Sequence, residues 1–199
     1  MPKLLIATRN AGKIAEISAR LAGNGLSAVG LWEVNCSLEV EETGASFEEN
    51  AVLKAREYAK VTGLPTLADD SGLEVSALGG RPGVHSARYG GETGYGEKMQ
   101  MLLDELTGIE ESGRGARFVC VMALAHPDGR HGPVSFGECR GVIADAPRGE
   151  GGFGYDPIFI PDGFDRTFGE LSAEVKARIS HRARALETII RELPDFIGI

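Results

Sequence analysis

The run Phe118-Val119-Cys120-Val121-Met122-Ala123-Leu124-Ala125 is apolar without alternation, the pattern of a strand covered on both faces. Just beyond it, Asp128-Gly129 is a turn signal, and Val134 to Arg140 reads as the returning strand of a hairpin. Working outward to the start of the chain, Leu4-Leu5-Ile6-Ala7 reads as a buried strand, and Ile14, Ile17 and Leu21 recur at helical spacing between Ala11 and Leu21. Ser27 to Leu31 is a weaker second strand. A strand-helix-strand opening combined with a later hairpin implies an α/β fold built on a mixed β-sheet with flanking helices.

The remaining elements fit that plan. Ser46 and Glu49 have the spacing of a capping box, and Phe47, Ala51, Ala55 and Tyr58 follow on one helical face. Leu73 to Leu78 reads as a strand, and Gly96 to Leu106 as a helix with Met99, Leu102, Leu103 and Leu106 at core spacing. The last helix is expected from about Ala173 to Leu193, starting after Ser172 and stopping before Pro194. No repeat, low-complexity tract or linker interrupts the chain, so residues 1–199 read as a single domain.

Composition narrows the class. A hydrophobic fraction of 42% is ordinary for a globular protein, and a formal net charge of -8 argues against a broad nucleic-acid surface, which needs clustered cations. The 3 cysteines, Cys36, Cys120 and Cys139, are odd in number, widely spaced and without a CxxC pair, which points to a reducing cytoplasm rather than to disulfides or zinc. Leu4 to Ala7 is too short for a signal-peptide core, and no apolar stretch reaches membrane-spanning length.

Chemistry concentrates at Leu67-Ala68-Asp69-Asp70-Ser71-Gly72, where an apolar strand runs into two carboxylates, a hydroxyl and a glycine. Neighbours on a strand face opposite ways, so one aspartate can serve the site while the other braces the turn. Carboxylates placed so suit Mg2+ or a general base acting on water; the same four residues are also ordinary turn composition. Thr8-Arg9-Asn10-Ala11-Gly12-Lys13 lies where a strand feeds a helix, which gathers free N–H groups and the positive helix end into an anion site, although the glycine spacing of a Walker A loop is missing. Glu41 or Glu42, just ahead of the capped helix, can complete a metal shell begun by Asp70. Asn50 and Lys54 are spaced i, i+4 and present an amide and a cation side by side, with exposure as the default for such a pair. Gly79 to Gly91 reads as a loop in which His85 is a lone histidine. Glycines 149, 151, 152 and 154 surround Phe153 and Tyr155, offering flat rings on which a base can stack. Arg182 falls on the apolar stripe of the last helix and needs an anion or a row of carbonyls there, so it is expected to point into a pocket. On an unbroken helix Lys176 and His181 lie about 140° apart, and converge on one ligand only if the helix breaks near Ser180.

These blocks, with Glu41-Glu42-Thr43-Gly44, Phe47 to Ala51, Gly83 to Tyr89, Gly151 to Pro157 and Ser180-His181-Arg182, follow one another in an order that resembles the inosine triphosphate pyrophosphatases, also called XTP/dITP diphosphatases. The resemblance implies an elongated mixed α/β structure with two lobes around a central nucleotide-binding cleft, cytoplasmic and homodimeric, hydrolysing ITP, dITP and XTP to the monophosphate and pyrophosphate. It implies that Thr8, Arg9, Asn10, Ala11, Gly12 and Lys13 cradle the triphosphate and that Glu41 and Asp70 hold Mg2+. It also implies that Asp70 accepts the proton, and that Ser71, Phe153, Gly154, Tyr155, Asp156, Lys176, His181 and Arg182 bind substrate. Glu42 and Asp69 remain the alternatives within each carboxylate pair. Donors at Arg182, His181 and the backbone would favour a 6-keto purine over adenine.

Overall fold

The computed structural model describes residues 3–198. In chain order it contains β1 (Leu4–Ile6), α1 (Ala11–Ala22), β2 (Ala28–Gly30), α2 (Phe47–Thr62), β3 (Thr66–Val75) and α3 (Tyr95–Glu105). These are followed by β4 (Gly115–Ala125), β5 (His131–Ile143), β6 (Phe159–Pro161), α4 (Ala173–Ile179) and α5 (His181–Ile197). The strands make a 6-stranded sheet in the order β2-β1-β3-β4-β5-β6. β1 is parallel to β2 and β3, whereas β6 is antiparallel to β5, so the sheet is mixed as the sequence implies. The run from Phe118 to Ala125 is buried throughout, as expected of a central strand.

The chain divides into two compact units. The first takes in the chain up to Asp70, Cys120–Gly137 and everything from Arg182 onward; the second takes in Ser71–Val119 and Glu138–His181. Each has its own apolar core. In the first, Ile17 and Leu21 of α1 meet Leu4, Leu67, Met122 and the Leu186, Ile189 and Leu193 stripe of α5. In the second, Leu102 and Leu106 pack with Leu73, Phe118, Ile158, Phe159 and Phe168.

Three boundaries differ from the sequence reading, each for a physical reason. Asp69-Asp70-Ser71-Gly72 is not a turn but the middle of a 10-residue strand. β3 lies between β1 and β4 in the sheet, and that placement overrides the local turn preference of the four residues. Ser76–Leu78, expected as the end of a strand, closes instead in a 3-10 turn. β5 is longer than Val134 to Arg140 and takes in Gly132, where a Cβ would sit 2.6 Å from Leu124 Cβ and 2.7 Å from the Phe196 ring.

The last helix is two helices. Ser180, φ -67° and ψ 156°, is extended and ends α4, while its N–H still donates to Lys176 O at 3.0 Å. α5 then carries on through Pro194 to Ile197 rather than stopping at Leu193. A proline lacks only one donor, and here its own carbonyl still accepts from Gly198 N–H at 2.9 Å. β6, with its three residues, escaped the sequence reading because it is too short for periodicity to register.

α2 illustrates how local signals fix an element. Ser46 Oγ accepts from Glu49 N–H at 3.2 Å, and Glu49 Oε2 reaches back to Ala45 N–H at 2.6 Å, one residue before the usual partner of a capping box. At the far end Gly63, φ 68°, donates its N–H to Ala59 O at 3.0 Å, the left-handed stop that favours glycine. Open space surrounds Gly63, so Gly63→Ala isolates backbone strain and should lower the unfolding free energy by about 1 kcal/mol in urea titrations.

Candidate active site

In the first unit, β1 delivers the chain into the turn before α1. Asn10 caps that helix: its Oδ1 accepts from Lys13 N–H at 3.0 Å, while its own N–H donates to Thr8 Oγ1 at 3.2 Å. The N–H groups of Ala11 and Gly12 belong to the first turn, which the helix itself leaves unpaired. The Lys13 ammonium, expected at an anion site, pairs with the Asp69 carboxylate. Arg9 is exposed and turned aside, its Nη2 donating to Cys36 O at 3.0 Å and Leu38 O at 3.2 Å, so it pins the segment after β2.

Alternation along β3 separates the two aspartates. Asp69 is sealed inside the first unit and takes Lys13 Nζ on Oδ1. Its Oδ2 accepts from Arg182 Nε at 2.9 Å and from the Cys120 thiol at 3.0 Å. Burial alone would raise its pKa, yet the Arg182 guanidinium and then the Lys13 ammonium outweigh it and hold the carboxyl well below the usual range. Burial and the Asp69 charge push the Cys120 thiol well above its ordinary value, so it stays a protonated donor. The anion that Arg182 requires is therefore Asp69, with Glu16 Oε2 on Nη1 at 2.6 Å. Arg182, expected to open onto a pocket, is only 2% exposed and engaged with this pair.

Asp70 has a different environment. Its Oδ1 receives Lys54 Nζ at 3.1 Å and its Oδ2 receives Asn50 Nδ2 at 3.1 Å. Lys54 also donates to Glu42 Oε1 at 2.6 Å and to Asp69 O at 2.8 Å. Burial raises the Asp70 pKa and the Glu42 charge adds to it, only partly offset by Lys54. The ammonium in turn is stabilised by both carboxylates against its own burial, which leaves its pKa raised. Glu42 is thus the member of the glutamate pair beside Asp70; Glu41 is exposed. Two carboxylates and few other protein ligands suit Mg2+, which keeps several waters and takes substrate phosphates as ligands. Among the described residues there is no cluster of three or more acidic, histidine or cysteine side chains that would enclose a metal completely.

The second unit carries the other predicted residues. Asp156 is the hub of its glycine loop: Oδ2 accepts from Phe153 N–H at 2.7 Å and from Lys176 Nζ at 2.5 Å. A Cβ on Gly152 would collide with that carboxylate, and Gly152 and Gly154 have φ of 71° and 68°, so glycine is required at both. Lys176 Nζ stands 4.5 Å from the centre of the half-buried Phe153 ring and 5.7 Å from that of Phe168. The second stacking face expected at Tyr155 is not available. That ring is 2% exposed, meets Tyr95 edge-on, and donates its hydroxyl to Ser86 O at 3.0 Å, so it is a core residue. His181 stacks on Phe118 with centroids 4.7 Å apart and an interplanar angle of 13°. Ser71, half-buried, follows Asp70 on β3, while His85 lies exposed on a 3-10 turn.

Asn50 and Lys54 show what exposure-by-default misses, since both are buried. The signal that could have found them is their placement one turn apart beside the apolar face of Ala51, Ala55 and Tyr58. Glu16 could be recognised only from the fold, because its partner is 166 positions away.

The two aspartates should respond oppositely to neutralisation. Asp69→Asn takes a buried carboxylate from both Lys13 and Arg182, leaving Arg182 with Glu16, and should cost about 3–5 kcal/mol of unfolding free energy at neutral pH. Because the folded-state pKa of Asp69 is depressed, its contribution is present above the unfolded value and should shrink as pH falls below ~4. Asp70 has a raised pKa, so its ionisation opposes folding, and Asp70→Asn should stay within about 1 kcal/mol of wild type. Denaturant titrations at pH 7 and pH 3 would check both.

Residues 4–192 match the family model of the Ham1 family. The chain is 49% identical over 193 residues to a Thermus thermophilus protein named dITP/XTP pyrophosphatase, covering 97% of this chain and 92% of that one. A Streptomyces avermitilis protein of the same name is 47% identical over 201 residues, covering 100% of both. Among solved structures, a HAM1 protein from Coxiella burnetii aligns with a TM-score of 0.87 at 41% identity, over 98% of this chain and 100% of that one. On the strength of a match along nearly its whole length, the chain belongs to the Ham1 family.

Proposed function

We propose that this protein is a pyrophosphohydrolase that converts the non-standard purine nucleoside triphosphates ITP, dITP and XTP to their monophosphates and pyrophosphate, clearing them from the nucleotide pool. The observation that carries the reading is the division of labour on β3: Asp69 neutralised by Lys13 and Arg182, Asp70 kept basic beside Glu42. Relatives at 47% to 49% identity that are named dITP/XTP pyrophosphatases support the substrate class.

On this reading the turn Thr8 to Lys13 receives the phosphates through first-turn N–H groups and the Lys13 ammonium. Asp70 accepts a proton from the attacking water, whose oxygen bonds to the α-phosphorus as the bridge to the β-phosphate breaks and pyrophosphate departs. A carboxyl whose pKa is raised is better matched to that transfer than an ordinary aspartate. Asp70 and Glu42, with Glu41 next to it in sequence, would hold Mg2+. When bound, that ion screens the phosphate charge and favours departure of the leaving group. Phe153 supplies a face for the base, and His181 and backbone N–H groups supply donors to a 6-keto oxygen, which adenine would leave unpaired. Asp156 and Lys176 fix the glycine loop that presents Phe153.

We place the protein in the cytoplasm as a homodimer. Free thiols at all three cysteines suit a reducing compartment, and Val134 and Phe136, 42% and 56% exposed on one side of β5, give an apolar strip suited to a second copy. Among the described residues no helix is long and apolar enough to cross a membrane.

The test is pyrophosphate release from ITP, dITP, XTP, ATP and GTP with and without Mg2+. Metal-dependent release from ITP, dITP and XTP but not from ATP is expected, with kcat reduced at least about a hundredfold in Asp70→Asn. Phe153→Ala should raise KM for dITP by about tenfold through lost stacking. Equal turnover of ATP would refute the base reading, and tight nucleotide binding without any turnover would make the protein a sensor.

A further inference from the structure

We infer that Asn50 is a positioning residue for the reaction, a neutral strut that sets Asp70 against the acidic loop Glu41 to Gly44. This inference rests on the proposed role of Asp70. Asn50 is 0% exposed in the second turn of α2, and both ends of its amide are used. Oδ1 accepts from Gly44 N–H at 2.8 Å, and Nδ2 donates to Asp70 Oδ2 at 3.1 Å. The two partners demand the same orientation of the amide, because an N–H can only face oxygen and a carboxylate can only face the NH2 group. Gly44 makes room for it: a Cβ there would lie 2.7 Å from Asn50 Oδ1 and 2.6 Å from Glu49 Cβ.

The acidic loop and Asp70 are therefore linked twice from one helix face. Lys54, one turn further on, joins Glu42 to Asp70 Oδ1 and brings a positive charge. Asn50 joins Gly44 to Asp70 Oδ2 and brings none. A carboxylate meant to take a proton or share a cation benefits from the second kind of partner, since it is oriented without being neutralised. A merely structural amide would satisfy Gly44 and could end on any backbone group. Here the other end terminates on the carboxylate to which the proton transfer is assigned.

Two variants separate the two ends. Asn50→Leu keeps the branched outline and removes both contacts. Asn50→Asp keeps an acceptor for Gly44 N–H but loses the donor to Asp70. The measurements are kcat and KM for dITP at saturating Mg2+, thermal melting, and Mn2+ affinity without nucleotide by electron paramagnetic resonance. For Asn50→Leu, kcat should fall and the Mn2+ dissociation constant should rise, each by about ten- to a hundredfold, with KM for dITP changed less than about threefold. Asn50→Asp should lose kcat to a similar degree, melting below wild type because a second buried carboxylate then faces Asp70 but still folding, and it decides the matter if the leucine variant does not fold. Wild-type kcat in folded Asn50→Asp, or wild-type kcat and Mn2+ affinity in folded Asn50→Leu, would overturn the inference. A wild-type protein that releases no pyrophosphate would refute the proposed activity, and the Mn2+ comparison would still decide the role of Asn50.

Discussion

The buried ion pairs of Asp69 are the constraint on which the first unit depends. A carboxylate fully removed from water is tolerable only with compensation at close range, and Asp69 receives it from residues far apart in sequence: Lys13 on α1, Cys120 on β4 and Arg182 on α5. One side chain thus fixes the first turn of α1, the proposed anion site, relative to β3 and the start of α5. Removing it would do more than lose a contact, since Arg182 is itself sealed from solvent and would be left with Glu16 alone of the carboxylates named here. On the proposed reading, stability and phosphate binding share a residue, Lys13.

The strand's two-residue period makes the neighbour of this anchor available for chemistry. Asp70 sits one residue on and faces α2, where it meets an ammonium, an amide and a second carboxylate rather than two cations. Two adjacent carboxylates with pKa values pushed in opposite directions is the pattern by which a fold assigns one to architecture and the other to proton transfer. Burial pushes both carboxyls up; at Asp69 the Arg182 and Lys13 charges overcome it, whereas at Asp70 burial prevails, helped by Glu42 and only partly offset by Lys54.

Much of this was legible in the sequence, and the gaps have a common cause. Ser46 with Glu49 and the unbroken apolar run at Phe118 are local signals, and both describe what the structure contains. Asp69 to Gly72 misled because their turn preference is also local, whereas the place of β3 between β1 and β4 that overrides it is not. Arg182 was recognised as needing an anion, but the anion lies 113 positions away, so spacing could not name it. Tyr155 looked like Phe153, both being aromatics between glycines, and only the partners Ser86 and Tyr95 show that one ring belongs to the core.

The break at Ser180 shows how a single backbone torsion resolves a conflict written into the sequence. A continuous helix would set Lys176 and His181 about 140° apart, on faces that cannot serve one cluster. With ψ at 156°, Ser180 resets the direction of the chain, and both side chains reach the same aromatic group: Lys176 over Phe168, His181 stacked on Phe118, with those two rings 6.2 Å apart. The interruption costs little, because Ser180 N–H still closes the last turn of α4 and α5 starts at the next residue. Nor does the apolar stripe suffer, since Leu186, Ile189 and Leu193 lie beyond the break and keep their helical spacing in the first core. A serine in place of a stronger helix former thus lets one segment serve two ends, an aromatic group in the second unit and a hydrophobic seam in the first.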